Sequence, residues 1–100
     1  MKTIKIKVTI TQTAANISFK SWVYRSKYLE DPYDKSKYNK KSFEWELDDL
    51  VANREYSVLF TFDTPGKVSV EITGDIVEGT ISDSFEAGAY TPSYLITTKN

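Results

Sequence analysis

Apolar and polar side chains alternate along most of the chain. In residues 3–11, Ile4, Ile6, Val8 and Ile10 fall on one side, with Thr3, Lys5, Lys7, Thr9 and Thr11 on the other. A period of two puts successive side chains on opposite faces, so this is a strand with one buried and one wet face. Residues 16–24 follow the same rule, with Ile17, Phe19 and Val23 inward and Lys20, Trp22 and Tyr24 outward. The short stretch Thr13–Asn16 between them is compatible with an antiparallel hairpin. Alternation returns at 43–48, with Phe43, Trp45 and Leu47 inward and Glu44, Glu46 and Asp48 outward. Residues 56–62 place Tyr56, Val58, Phe60 and Phe62 on one face, but Leu59 adds bulk to the other, which predicts a central strand.

The second half carries stronger turn chemistry. Thr64-Pro65-Gly66-Lys67 has Pro and Gly at the two central positions of a type II turn. Val68, Val70 and Ile72 mark the strand that follows, and Thr73-Gly74-Asp75-Ile76 reads as a two-residue hairpin turn with Gly first. Residues 76–85 are less regular, and Gly79 suggests a bulge. Glu86–Ala89 reads as a loop, and a last strand spans 93–98 behind Pro92. These segments make about seven strands and no helix. The expected class is all-β, a single domain over residues 1–100.

One stretch breaks the period. Residues 25–42 place one Leu, one Pro and three Tyr among charges, and predict a long Tyr/Lys-rich loop. A connection of that length exceeds the ~12–15 residues usual for structureless loops, which makes it either functional or mobile.

Residues 47–58, LDDLVANREYSV, add geometry. Leu50 precedes Tyr56 by six positions, and Tyr56 opens an alternating strand. The segment resembles the tyrosine corner of fibronectin type III and other immunoglobulin-like sandwiches, in which a phenol hydroxyl bonds back to upstream backbone where the chain crosses between sheets. The resemblance implies an antiparallel Greek-key β-sandwich, immunoglobulin-like in arrangement. Three expected strands precede the corner here where that family has five, and Trp22 is out of phase with Ile17 and Phe19. The likeness therefore speaks for the architecture and not for membership.

Composition narrows the chemistry. The chain has no Cys and no His, so disulfides, thiolate zinc sites and the commonest general base are all missing. Glu44 and Glu46 share one strand face instead of flanking a substrate. Four scattered Gly form no phosphate loop. Asp48, Asp49, Asp63, Asp75 and Asp83 could meet at one end of a sandwich, but no calcium-loop run is present. The expectation is a protein that is not an enzyme and has no cofactor, catalytic residue or metal site.

Net charge is −1, yet residues 1–42 carry ten basic and three acidic side chains (+7), and residues 43–100 carry three basic and eleven acidic ones (−8). Either basic strands pair with acidic neighbours inside the fold, or oppositely charged faces steer partners. The internal reading is the more ordinary. No apolar run is long enough to span a membrane as a helix, and no membrane insertion is expected. The N-terminal MKTIKIKVTITQT lacks the apolar stretch of a signal peptide. That fits an intracellular or virion protein, or an extracellular domain separated from its leader. Asn16-Ile17-Ser18 spells a glycosylation sequon inside an expected strand.

Binding is the remaining class. Trp22, Tyr24, Tyr28, Tyr33 and Tyr38, interleaved with Lys35 and Lys37, have the composition of a contact surface, because Tyr gives large rigid area at low entropic cost. The leading expectation is a module acting through protein–protein contact, in a larger assembly or on a bacterial or viral surface. Replacing Tyr28 and Tyr33 by Ala should then weaken binding with little loss of stability. Carbohydrate stacked on the same aromatics is the alternative, as is a structural subunit that assembles through edge strands. The acidic pI of about 5.4 disfavours nucleic acid.

Overall fold

A computed structural model describes residues 3–12, 19–25, 33–39 and 42–100. Nine strands lie among them: β1 (Thr3–Gln12), β2 (Phe19–Tyr24), β3 (Asp34–Asn39), β4 (Phe43–Val51), β5 (Glu55–Thr64), β6 (Val68–Gly74), β7 (Ile81–Phe85), β8 (Gly88–Tyr90) and β9 (Ser93–Thr97). The first sheet has the order β4-β1-β6-β7. The second has the order β3-β2-β5-β8, with β9 also paired to β5. Every pairing between these strands is antiparallel. Both sheets contribute to one apolar core, an arrangement consistent with a β-sandwich.

The alternation explains the core directly. Ile4, Ile6, Val8 and Ile10 of β1 are buried, as are Phe19 and Val23 of β2 and Tyr56, Val58, Phe60 and Phe62 of β5. β5 is central, as the bulk on both its faces predicts. One edge pairs with β2, and the other is shared by β8 and β9. In β4 the period slips. Ile4 faces Leu50 and Ile6 faces Leu47, so the register shifts between them. This bulge brings both Leu47 and Leu50 inward and leaves Asp48 and Asp49 exposed together.

The crossing from β4 to β5 has the expected corner. Leu50 is buried at the end of β4, Asn53 takes a φ of 60°, and Tyr56 is buried at the start of β5. The Val51 N–H donates to the Tyr56 hydroxyl at 2.8 Å. Thr98 Oγ1 completes the crossing by donating to the carbonyl of Val51 at 2.7 Å and accepting the Arg54 N–H at 2.8 Å. Backbone polar groups beside the core are thereby satisfied.

Several connections differ from expectation. β1 and β2 lie in different sheets, so no hairpin joins residues 3–11 to 16–24. Alternation says which side chains go inward, not which sheet receives the strand. β5 and β6 also lie in different sheets. Their connection is held by Thr64 Oγ1, which donates to the Gly66 carbonyl at 2.9 Å and accepts its N–H at 3.1 Å. Gly66 is not among the glycines with positive φ, so the type II turn is replaced by this side-chain turn. β6 meets β7 at Ile72 and Ile81, which excludes a two-residue turn at Gly74. The longer connection seats Ile76 in the core and bridges it to Thr98. Gly74, with a φ of 136°, is required there: a Cβ would stand 2.5 Å from the Lys5 carbonyl oxygen. Gly79 closes a turn to the Ile76 carbonyl instead of a bulge.

The largest difference falls in residues 25–42, read as one long loop. Residues 34–39 form β3, paired to β2 from Phe19↔Asn39 to Tyr24↔Asp34. Its inward positions opposite Ser21 and Val23 hold Lys37 and Lys35, so no apolar alternation marks it. β8 overlaps the loop expected at Glu86–Ala89, since three residues are too few to show a period. The sequon at Asn16 and the expected strand start at 16–18 lie outside the described residues.

Candidate binding face

The outward positions of the second sheet come into register as rows. Trp22 stands between Ser36 on β3 and Leu59 on β5, and Leu59 faces Ser93 on β9. In the next row Tyr24 stands between Asp34 and Ser57, and Ser57 faces Leu95. On the other side of Trp22, Lys20 stands between Tyr38 and Thr61. Trp22, Tyr24 and Leu59 are part-exposed, while Tyr38 and Leu95 are 57% and 55% exposed. The Lys20 ammonium lies 4.7 Å from the centre of the Trp22 ring, a cation–π contact on the open face.

Three of the expected site residues, Trp22, Tyr24 and Tyr38, therefore share this face. Tyr33, Lys35 and Lys37 do not. The Tyr33 ring packs edge-on against Tyr56 at 5.3 Å, and its hydroxyl donates to Asp49 Oδ1 at 2.6 Å. The Lys35 ammonium pairs with the other oxygen of Asp49. Lys37 lies 5.9 Å over the Phe43 ring. These residues close the side of the molecule between β3 and β4. The Lys35 stem can cover apolar surface while its head reaches Asp49, and the Lys37 head lies over an aromatic ring. Burial and the bond to Asp49 raise the Tyr33 pKa well above its usual value. For Asp49 burial pulls upward, but hydrogen bonds from Lys35 and Tyr33 outweigh it and hold the carboxyl below its ordinary range. Tyr28 lies outside the described residues. Leu59 and Leu95 join the face without having been singled out, though the outward parity of Leu59 was a usable signal.

The outer face of the first sheet is different. Lys5 pairs with Glu46 at 3.0 Å and Lys7 with Glu44 at 3.6 Å, across β1 and β4. The hydrogen bond to Glu46 raises the Lys5 pKa, and the same bond lowers that of Glu46. Outward positions on β6 and β7 are Ser69, Glu71, Thr73, Ser82 and Ser84. The two Glu residues of β4 are thus tied to lysines. Basic and acidic halves of the chain meet here inside one sheet, in keeping with the internal reading of the charge asymmetry.

Beside the aromatic face, where β2, β3, β5 and β8 adjoin, lies an open cleft of about 660 Å³. Lys20, Tyr38, Thr61, Asp63 and Thr91 line it over an aromatic floor that includes Phe19, Phe62 and Tyr90. The floor is braced by ring contacts of Phe62 with Phe19 at 5.9 Å and with Tyr90 at 5.7 Å. Among the described residues no group of three or more acidic side chains is placed to hold a metal, and no helix is long and apolar enough to cross a membrane. No protein-family model matches the chain, and neither a curated protein nor a solved structure matches it.

Proposed function

We propose that this chain is a non-catalytic, immunoglobulin-like Greek-key β-sandwich module that works by protein–protein contact, within a larger assembly or on a bacterial or viral surface. The corner hydrogen bond from Val51 to Tyr56 supports the architecture. So does the strand order, in which β4 returns beside β1 and β5 returns beside β2. The non-catalytic reading is supported by a chain without His or Cys and by carboxylates at 44 and 46 that are paired to lysines.

One observation carries the contact reading. Large apolar side chains stand on the outer face of one sheet, at Trp22, Tyr24, Leu59 and Leu95, and the outward positions of the other sheet are polar. Trp and Tyr are enriched at the energetic centres of interfaces, and a β-sheet holds them in fixed relative positions. The contact surface is therefore the β3-β2-β5-β9 face. A photoreactive phenylalanine analogue placed at Trp22 or at Leu95 should cross-link to a discrete protein in native cells. The same analogue at Thr9, on the opposite face, should not. Equal labelling from both faces, or none from Trp22 and Leu95, would overturn the reading.

A further inference from the structure

The cleft at the end of the aromatic face has a chemistry of its own. Its walls carry one cation, Lys20, and one anion, Asp63, so formal charge gives no preference for either an anionic or a cationic ligand. The Lys20 ammonium leans onto the Trp22 ring. Asp63 is exposed, and its carboxylate makes no hydrogen bond or ion pair among the described residues, which leaves its acceptor sites open. Hydroxyl groups come from Thr61, Thr91 and Tyr38, each able both to donate and to accept. Tyr38, more than half exposed, offers a ring face. The volume falls within the ~300–1,000 Å³ typical of small-ligand sites.

We propose that this cleft binds a neutral saccharide. A pyranose presents C–H groups on one side and hydroxyls around its rim. That matches a cleft whose lining holds an aromatic ring, an unpaired carboxylate and several hydroxyls better than it matches a phosphate or an ammonium group. The sugar's axial hydrogens lie against the Tyr38 ring. Asp63 accepts from two adjacent hydroxyls, and Thr61 and Thr91 complete the rim. The inference goes beyond the protein-contact reading: Lys20 and Tyr38 border both surfaces, but none of Trp22, Tyr24, Leu59 and Leu95, which carry that reading, lines the cleft.

The test is a titration of the intact ¹⁵N-labelled chain with neutral disaccharides, namely maltose, cellobiose and N,N′-diacetylchitobiose, read by amide chemical shifts. At least one should move the amides of Lys20, Tyr38, Thr61, Asp63 and Thr91 saturably, with the β1 and β6 amides unmoved. Asp63→Asn and Tyr38→Ala should each weaken that binding by about tenfold, a difference near 1.4 kcal/mol, at unchanged melting temperature. Trp22→Ala should leave the sugar affinity intact while reducing protein association, which separates failure of one reading from failure of the other. Silence with all three sugars would overturn the proposal. So would equal or stronger shifts of the same amides with inorganic phosphate or with lysine amide.

Discussion

The two outward-facing surfaces share strand geometry and period, and they differ in what stands on them. On the first sheet, β1 sends lysines out and β4 meets them with glutamates. Such exposed pairs contribute little to stability, and they keep the face hydrated and soluble. On the second sheet the same outward positions hold Trp22, Tyr24, Leu59 and Leu95, and a lysine rests on an indole instead of on a carboxylate. Removing water from the first face would cost the desolvation of its charged groups, whereas removing it from the second releases water from apolar area. Identical backbone construction thus yields one face that is charged and costly to dehydrate and one that carries apolar area. The difference lies entirely in the residues the fold does not need.

The strongest way to strain that contrast is to damage what both faces share. Tyr56→Phe removes the hydroxyl that accepts the Val51 N–H and strands a backbone donor beside the core. It should cost roughly 1–3 kcal/mol in urea denaturation. Both faces should lose amide-exchange protection together, and loss confined to one sheet would show the layers to be independent. The core also holds a polar flaw on the aromatic side. Ser21 is fully buried on β2, and its hydroxyl makes no hydrogen bond among the described residues. Ser21→Ala should raise stability by about 1 kcal/mol, seen as a higher midpoint, without disturbing Trp22 fluorescence. A lowered midpoint would mean that the hydroxyl has a partner.

The two sheets meet at their side through Tyr33, Asp49 and Lys35, and pH probes that closure. The Asp49 pKa is depressed in the fold, so its contribution is present above the unfolded value of about 4 and is lost as pH falls through the lower folded value. The Tyr33 pKa is raised. Its contribution is complete below about pH 10 and is lost as pH rises, because the unfolded phenol ionises first. Asp49→Asn should flatten the acid limb of a stability–pH curve, and Tyr33→Phe the alkaline limb. The smallest stability effects belong to the faces themselves. Trp22→Ala should change stability by no more than about 1 kcal/mol and Lys7→Thr by less, yet only the first should abolish association with a partner. If Lys7→Thr abolished it equally, the contrast between the faces would be meaningless for function.

Much of this was readable from residue order. Isoleucines at 4, 6 and 10 with lysines at 5 and 7 announce a half-buried strand, and Leu50 with Tyr56 announced a corner whose hydrogen bond is present. β3 was hidden because Lys35 and Lys37 occupy inward positions, at an edge where a charged head can still reach Asp49 or lie over Phe43. The bulge at Asp48–Asp49 was hidden because a two-residue period has no mark for one extra residue. The aromatic face was half legible. Residues 22, 24 and 38 were grouped with 33, 35 and 37 by nearness in sequence, yet a strand sends neighbours to opposite sides. The Tyr33 placement also changes the expectation for Tyr33→Ala. Packed on Tyr56 and bonded to Asp49, this ring cannot be removed at little cost.

The position of β1 has a consequence for biogenesis. It lies inside its sheet, between β4 and β6, and both neighbours follow it by dozens of residues. A ribosome delivers it before either, so four apolar side chains wait in water with one backbone edge unpaired until residues 43–51 emerge and the other until residues 68–74 emerge. The lysines at 5 and 7 then act first as gatekeepers against mispairing, and only later as partners for glutamates.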